Sequence, residues 1–318
     1  MKTFLVRCLL FFLVFMAINM ILAFVYERPV KKAIANKTHK NYLKWTDIHN
    51  HLQSYDIIIM GSSRAYTAYN PEILDSVTGL KSYNMGTSAQ DIAETYYMLK
   101  ELLEYQQPKF VVMDLFFPSS DTDHEYYQIF SNASFFNSGE QKFNLVTEGY
   151  GTEGVVNYLL PIVKLKNYIK NDLSTILGPD RPEKKEDHWI RGFLYDTTIV
   201  TEKQIEKFTP ISNFKNTSFS EERFNFYMKR IMSLLKDNNI KFITIHTPYP
   251  PARNAISSKR DEEDYFTKFT ENNHLPFYDF NRMLPEMENA DFSDYHHTNY
   301  KGARKVSIAL GEIIKSTQ

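Results

Sequence analysis

The chain has 318 residues, of which 43% are hydrophobic and 24% are charged, a balance typical of a folded protein with a sizeable core. The formal net charge of −1 and the isoelectric point near 6.8 exclude a strong long-range attraction to polyanions, so we expect no nucleic-acid partner.

The first element in chain order is an apolar run near the N-terminus. Cys8–Tyr26 holds no charged residue, and at a rise of 1.5 Å per residue it spans roughly 28 Å, about one hydrocarbon core. We therefore predict an uncleaved transmembrane anchor over residues 1–28. A cleaved signal peptide and a buried core helix are the alternatives, although the sequence Ala-Phe-Val-Tyr-Glu at its end is a poor cleavage site.

The charges around this run leave its orientation open. Lys2 and Arg7 precede it, whereas Arg28, Lys31 and Lys32 follow it. The only cysteine lies inside the run, so the rest of the chain has no thiol, which suits an oxidising exterior. We expect a single-pass membrane protein that contacts lipid through this helix and carries its folded domain outside the cytoplasm.

Residues 29–54 form a polar, basic connector with helical stretches. His49 and His51 in this connector imitate the His-x-His pair of some metal-dependent hydrolases. No clear strand precedes the pair and no eightfold β/α series follows it, so we interpret both as solvated histidines and predict no metal and no cofactor.

Short apolar runs that alternate with helical patterns begin at residue 55. The predicted strands are Tyr55–Met60, Lys81–Asn84, Phe110–Met113, Phe242–Ile245 and Leu275–Tyr278. The predicted helices are Ala89–Gln107, a segment from Ser220 to Asn238, Asp261–Asn272 and Tyr300–Lys315. This alternation predicts an α/β domain over residues 55–318, with a parallel sheet of about five strands and helices on both faces.

A stretch of about 100 residues, 118–219, interrupts the alternation. It is rich in Phe, Tyr and Asn, and a loop of that length without its own structure is uncommon. We predict a large, partly helical inserted cap beside the carboxyl ends of the strands.

Two motifs carry the chemistry. Gly61-Ser62-Ser63-Arg64 follows the first strand, and Asp294-Tyr-His296-His297 lies near the C-terminus. A serine hydroxyl needs an imidazole to take its proton and a carboxylate to hold that imidazole. Each motif alone is commonly a helix cap or a surface turn. Together, and in the order Ser, Asp, His, they favour a triad, in which His296 is the alternative base.

These motifs resemble those of the SGNH/GDSL hydrolase superfamily, over residues 55–118 and 220–316. Ser63 matches the nucleophile of the first block. Asn84-Met85-Gly86 is similar to the second block, whose glycine donates a backbone N–H. Asp294 and His297 match the last block, and Asn299 and Gly302 continue its pattern.

The resemblance implies a three-layer α/β/α flavodoxin-like fold and a catalytic triad of Ser63, His297 and Asp294. It further implies an oxyanion hole made by the backbone N–H groups of Ser63 and Gly86, with Asn84 and Asn299 as supporting residues.

Two departures from the family pattern matter. Ser62 stands where the commoner Gly-Asp-Ser form has an acid, as in the membrane-anchored relatives that act on envelope polymers. The third block usually offers Gly-x-Asn-Asp, but the chain has Asp114 after its third strand and no asparagine follows. Loss of one oxyanion donor lowers rates by roughly 10²–10³. Ser119 or a group from the cap is a candidate replacement.

The remaining polar residues near these motifs have two interpretations each. Arg64 either anchors an anionic substrate or packs on the first helix. Asp114 is either a carboxylate of the site or a loop cap, and His246 either lines the pocket or has a hydrogen-bonded structural role.

The resemblance implies a serine esterase or O-acyltransferase, most simply an O-acetyl enzyme, that acts on an acylated polysaccharide of the bacterial periplasm or cell surface. A membrane acyl-donor protein is a compatible partner for the transferase. The competing function is a non-catalytic binding or assembly subunit, which the missing asparagine favours and the intact triad opposes.

Overall fold

The structure is a computed structural model that describes residues 1–26, 40–50, 53–116, 132–160, 188–205, 220–254 and 258–318. The chain forms two compact units. One comprises Met1–Leu43 and His124–Lys184, and the other comprises Lys44–Asp123 and Lys185–Gln318.

The second unit is built around a parallel sheet. In chain order, the strands are β1 (Ile57–Met60), β2 (Ser82–Asn84), β3 (Phe110–Asp114), β4 (His188–Ile190), β5 (Phe193–Tyr195), β6 (Lys241–His246) and β7 (Phe277–Asp279). Five of them pair in the order β2-β1-β3-β6-β7, and every pairing is parallel. The predicted fold class, a flavodoxin-like α/β/α arrangement with about five strands, is confirmed.

The helices alternate with these strands. They are α1 (Lys2–Tyr26), α2 (Lys40–His49), α3 (Ser63–Ala68), α4 (Pro71–Thr78), α5 (Ile92–Leu103), α6 (Gly139–Asn144), α7 (Tyr150–Leu159), α8 (Glu202–Ile205), α9 (Glu221–Asp237), α10 (Pro251–Asn254), α11 (Ser258–Asn272), α12 (Phe280–Met283) and α13 (Tyr300–Thr317). A π-helical turn, Leu145–Gly149, separates α6 from α7, and a 3₁₀ turn, Asn289–Asp291, precedes α13.

Local chemistry explains where the observed helices differ from the predicted ones. The helix expected from Ala89 begins at Ile92, because the Asp91 side chain accepts hydrogen bonds from the N–H groups of Ala93 and Glu94 and so caps the helix there. It ends at Leu103, earlier than the expected Gln107, so Pro108 lies beyond the end of the helix.

The sheet is buried on both faces, which is why its strands read as continuous apolar runs. On one face, Ile57, Ile59 and alternate residues of β3 and β6 pack against α3, α4, α12 and α13. The successive strand residues point to the opposite face, so helices cover the sheet on both sides and its carboxyl ends are left to carry a site.

The first unit contains α1. By length and composition, it is the one helix of the described residues that can cross a membrane. Most of its side chains are exposed, whereas Asn19 and Ala23, which lie on one face, are buried. The same unit holds α6 and α7 of the predicted insert, and Gly151 kinks the latter with a φ of 56°.

Candidate active site

Ser63 lies where β1 turns into α3. Gly61 adopts a φ of 147°, and a Cβ on it would lie 2.9 Å from the Cβ atoms of both Ala65 and Asp114, so only glycine fits this turn. Ser62 caps the helix by accepting a hydrogen bond from the Arg64 N–H. Ser63 is therefore the first helical residue, half-buried at the carboxyl end of a central strand.

The loop that carries Asp294 and His297 is closed by its own backbone. Phe292 and Thr298 form an isolated antiparallel bridge, and the His297 carbonyl accepts the Ser293 N–H at 2.9 Å. The Thr298 hydroxyl donates to the Thr67 carbonyl at 2.8 Å, which joins this loop to the helix that begins at Ser63.

The structure brings the three predicted triad residues together. His297 Nε2 lies 2.8 Å from Ser63 Oγ, and His297 Nδ1 lies 2.8 Å from Asp294 Oδ2. A carboxylate can only accept, so Nδ1 carries the hydrogen and Nε2 of the neutral ring accepts the Ser63 hydroxyl hydrogen. This is the tautomer that a general base requires.

Burial raises the pKa of Asp294, but other interactions outweigh this effect. The hydrogen bond from His297, the charge of that ring and the backbone N–H groups of His296 and His297 together lower the pKa to about 2. Asp294 is therefore ionised at neutral pH and can hold the imidazole and stabilise its charged form.

Two residues of the last block have structural roles. Asn299 caps α13 by accepting the N–H groups of Lys301 and Gly302, and its amide donates to the carbonyls of Ala290 and Phe292. A Cβ on Gly302 would lie 2.2 Å from the Asp291 carbonyl oxygen. Both residues fix the loop that positions His297, and their described contacts are with backbone groups.

The second block differs from the predicted oxyanion hole. The Gly86 N–H donates to Asn84 Oδ1 at 3.0 Å, so the donor assigned to an oxyanion already has an acceptor. The buried Asn84 amide in turn donates to the Ala65 and Tyr69 carbonyls. Asn84 therefore ties this block to the segment after Ser63, which is a supporting role.

The Ser63 N–H lies in the first turn of α3, where N–H groups lack intrahelical acceptors. Within the described part of the chain, no hydrogen bond engages it. Ser63 thus supplies the one oxyanion donor of the predicted pair that is free. The candidate replacement Ser119 lies outside the described residues.

Arg64 is buried beneath the site. Its guanidinium donates to the Thr247 carbonyl and lies 3.8 Å from the Tyr249 ring centroid and 5.0 Å from that of Phe116. Only 1% of the residue is exposed. These contacts favour the packing role over contact with an anionic substrate.

Asp114 ends β3 directly beside the nucleophile turn. Its Oδ1 accepts the Thr247 N–H at 2.9 Å, which caps the loop after β6, while Oδ2 has no hydrogen-bond partner among the described residues. Asp114 is thus a buried loop cap whose Cβ also leaves no room for a side chain on Gly61.

His296, the alternative base, points elsewhere. Its ring lies 3.9 Å from the Tyr295 ring and 6.4 Å from the Phe116 ring, between centroids. The described contacts of the Ser63 hydroxyl are with His297, as the Asp-x-x-His pattern predicts.

A second cluster of ligand-type side chains lies at the ends of β6 and β7. Atoms of His246, Glu263 and Asp279 that could bind a metal lie within 4.8 Å of one another, and all three residues are buried. Arg282 already contacts Asp279 at 3.3 Å and Glu263 at 3.5 Å, so a guanidinium supplies the positive charge there. His246 therefore has the structural role.

The pKa of Asp279 predicts an acid-sensitive contribution to stability. Burial raises this pKa, but the hydrogen bond and charge of His246 and the bonds from Asn281 lower it to about 2, from an ordinary value of 3.8. The depressed pKa stabilises the fold by about 2 kcal/mol above pH 5, and this contribution is lost as the pH falls through 2.

We expect Asp279→Asn to lower the free energy of unfolding by about that amount at pH 7, and the difference from wild type to vanish near pH 2. Urea unfolding of the full chain in detergent at several pH values measures it. Asp264→Asn, an exposed change on α11, is the control and should cost little. A difference for Asp279→Asn that is independent of pH would contradict the assignment.

The sequence did not reveal a hairpin that borders the site. Arg191 and Gly192 have φ values of 44° and 81° between β4 and β5, which is the pattern of a type I′ turn. A Cβ on Gly192 would lie 1.9 Å from the Asn84 carbonyl oxygen, and the Arg191 carbonyl accepts the Asn84 N–H at 3.0 Å. Two short apolar runs around Arg-Gly were the available signal.

The hairpin also touches the other two motif segments. The Trp189 ring lies 5.4 Å from that of Tyr66 on α3. Beyond β5, the Asp196 carbonyl accepts the Tyr300 N–H, and the Val200 N–H donates to the Phe292 carbonyl. This part of the predicted insert therefore borders the first, second and last blocks.

A protein-family model matches residues 201–318, a stretch that includes Asp294 and His297 but covers less than half of the chain and omits Ser63. No curated protein matches the chain.

Among solved structures, the chain is similar to a protein from Bacteroides fragilis described as an acylhydrolase, with 12% identity, coverage of 88% of this chain and 98% of that one, and a TM-score of 0.44. A lipolytic protein of the G-D-S-L family from Desulfitobacterium hafniense shows 10% identity, coverage of 81% and 98%, and a TM-score of 0.41. A GDSL-like lipase from Bacteroides thetaiotaomicron shows 12% identity, coverage of 88% of this chain and 98% of that one, and a TM-score of 0.43. Identities this low say nothing of what this chain does.

Proposed function

We propose that the chain is a membrane-tethered serine esterase or O-acyltransferase of the SGNH/GDSL type, which transfers acyl groups, most simply acetyl, on a polysaccharide outside the cytoplasm. The observation that carries this proposal is the pair of 2.8 Å contacts that link Ser63 Oγ, the two nitrogens of His297 and Asp294 Oδ2. This is the geometry of an activated nucleophile.

The reaction proceeds through an acyl-enzyme. Ser63 Oγ attacks the ester carbonyl while its hydrogen passes to His297 Nε2, and Asp294 stabilises the resulting imidazolium. The tetrahedral intermediate expels the alcohol, which takes the proton from His297. Water or a sugar hydroxyl then gives its proton to His297 and attacks the acyl-Ser63 carbonyl. The second tetrahedral intermediate expels the Ser63 oxygen, which takes the proton back from His297. The acyl group leaves as free acid or as a new ester.

Stabilisation of the oxyanion distinguishes this site from a strong hydrolase. The Ser63 N–H is free to donate, whereas the Gly86 N–H can do so only when its bond to Asn84 opens. One donor fewer corresponds to a rate loss of roughly 10²–10³. The acyl-enzyme should therefore form slowly and break down slowly, whether water or a sugar hydroxyl attacks it.

The assignments of location and substrate have separate grounds. The apolar helix α1 supports a membrane tether. The lack of cysteine after Cys8 suits a domain outside the cytoplasm. Serine acyl chemistry requires no cofactor. The glycan acceptor, and a membrane protein that donates the acyl group, are inferred from the likeness of the motifs to those of envelope-polymer enzymes.

A second candidate function is a non-catalytic subunit that binds the polysaccharide. The occupied Gly86 N–H and the absence of an asparagine after β3 favour this alternative. The intact contact between Ser63 and His297 opposes it, because a binding role needs no activated hydroxyl.

Mass spectrometry of the full chain after incubation with p-nitrophenyl acetate tests the proposal. We expect one acetyl group, assigned to Ser63 and not to its neighbour Ser62 by fragmentation of the peptide. Unmodified Ser63 in a protein that still binds polysaccharide would favour the second candidate. Added oligosaccharide separates the two reactions, since a transferase places acetyl on the sugar and a hydrolase releases acetate.

A further inference from the structure

Lys44 is a buried lysine outside every motif of the predicted site. It lies on α2, in the segment interpreted from sequence as a polar, basic connector, and only 2% of it is exposed. Its neighbours Trp45 and Ile48 are buried as well, and His49 hydrogen-bonds Glu101 at 3.0 Å. This half of α2 therefore belongs to the folded α/β unit, and the interpretation of His49 as solvated was wrong. His51 lies outside the described residues.

The ammonium of Lys44 reaches the second block. Its Nζ donates to the Gly86 carbonyl and lies 5.5 Å from the centroid of the Tyr66 ring and 5.6 Å from that of the Trp189 ring. A buried ammonium is costly unless acceptors and aromatic faces surround it. The stem is enclosed too, because a Cβ on Gly192 would lie 3.1 Å from Lys44 Cε.

These contacts hold the Gly86 residue at both ends. Lys44 binds its carbonyl, and Asn84 binds its N–H. Asn84 is in turn bonded to the carbonyls of Ala65 and Tyr69, which follow the nucleophile. Lys44 thus reaches the Ser63 helix by two routes, one through Gly86 and Asn84 and the other through the Tyr66 ring.

We propose that Lys44 is a positioning residue, which sets the Gly86 segment and the β4–β5 hairpin against the helix of Ser63. It acts through Gly86, Tyr66 and Trp189, the described residues that its ammonium contacts. Loss of the ammonium would free the Gly86 carbonyl and remove the cation that joins the two rings, so the second block would move relative to Ser63. Only one consequence of this inference, a slower acetylation of Ser63 when Lys44 is replaced, rests on the proposed acyl transfer.

Lys44→Met tests the proposal, because methionine fills a similar volume without the charge. In the full chain in detergent, we expect the rate of Ser63 acetylation at saturating ester to fall roughly tenfold, because the variant loses one hydrogen bond from a charged group. The ester concentration at half saturation should change less than about twofold. A variant that merely unfolded would instead lose its thermal transition.

Lys241→Met is the matched control. Lys241 also donates to a backbone carbonyl, that of Thr317, and lies 5.3 Å from the Phe110 ring, but at the opposite end of the sheet from Ser63. It should leave the acetylation rate within about twofold of wild type.

Hydrogen exchange separates this proposal from the proposed function. The N–H groups of Met85 and Thr87 are bonded to the carbonyls of Ile59 and Gly61, and we expect them to exchange roughly tenfold faster in Lys44→Met but not in Lys241→Met. Unchanged exchange in Lys44→Met would overturn the positioning role. If exchange is faster in Lys44→Met but the wild-type protein never acetylates Ser63, the proposed acyl transfer is wrong and the positioning role of Lys44 stands.

Discussion

Ser63→Ala is expected to abolish ester turnover, with a loss of at least about 10⁴-fold in the rate at saturating substrate. The Ser63 hydroxyl oxygen lies 2.8 Å from His297 Nε2. Its removal therefore leaves the base without a nucleophile. Hydrolysis of p-nitrophenyl acetate by the full chain in detergent measures the effect.

Ser62→Gly is the matched control for this change. Ser62 is the adjacent hydroxyl, but it caps α3 by accepting the Arg64 N–H, whereas Ser63 Oγ is the hydroxyl bonded to His297 Nε2. Glycine caps a helix at a cost of only a few tenths of a kcal/mol, so turnover should fall less than about fivefold. Equal turnover by Ser63→Ala and wild type would rule out Ser63 as the nucleophile.

Asp294→Asn is expected to lower the rate at saturating substrate by about 10³–10⁴-fold. An asparagine can still accept the N–H groups of His296 and His297, as Asp294 Oδ1 does at 2.7 and 2.9 Å. Its amide would instead donate to His297 Nδ1, and the ring would then carry its hydrogen on Nε2. That tautomer cannot accept the Ser63 hydrogen.

Asp196→Asn controls for the loss of a turn carboxylate. Asp196 also accepts the backbone N–H of the residue two positions later, that of Thr198, at 2.8 Å. Its carbonyl accepts the Tyr300 N–H, so it lies beside the segment that follows His297. None of the described contacts of Asp196 is with a histidine, so the rate of the Asp196→Asn variant should stay within about twofold of wild type.

The effect of Asp294→Asn should not depend on pH above 4. Because the pKa of Asp294 is about 2, the wild-type carboxylate stays charged to well below pH 4. The deficit of Asp294→Asn should therefore persist throughout the pH range above 4.

Much of the fold was predictable because its signals are local. The strand Ile57–Met60 is apolar throughout since both of its faces are buried, and this pattern is visible in a few residues. The contacts between Ser63, His297 and Asp294 were predictable for a related reason. The carboxyl ends of parallel strands and the loop before α13 meet at one edge of the sheet, so two short motifs in the right order indicate proximity.

The features that sequence did not reveal depend on contacts between distant segments. Nothing in Asn84-Met85-Gly86 indicates that the amide oxygen would take the glycine N–H, a contact held in place by two carbonyls beyond residue 64. Lys44 is one of many lysines in a polar segment, and its partner carbonyl is 42 positions away. For the same reason, His49 looked solvated although it bonds a glutamate 52 positions away.

The separation of 234 positions between Ser63 and His297 also has a kinetic consequence. Contacts of such high sequence separation close late in folding, because the entropy of loop closure opposes them until the intervening sheet has formed. Ser63 therefore meets His297 only after the segment that contains both residues has left the ribosome. A chain not yet synthesised as far as His297 carries Ser63 without the imidazole that would activate it.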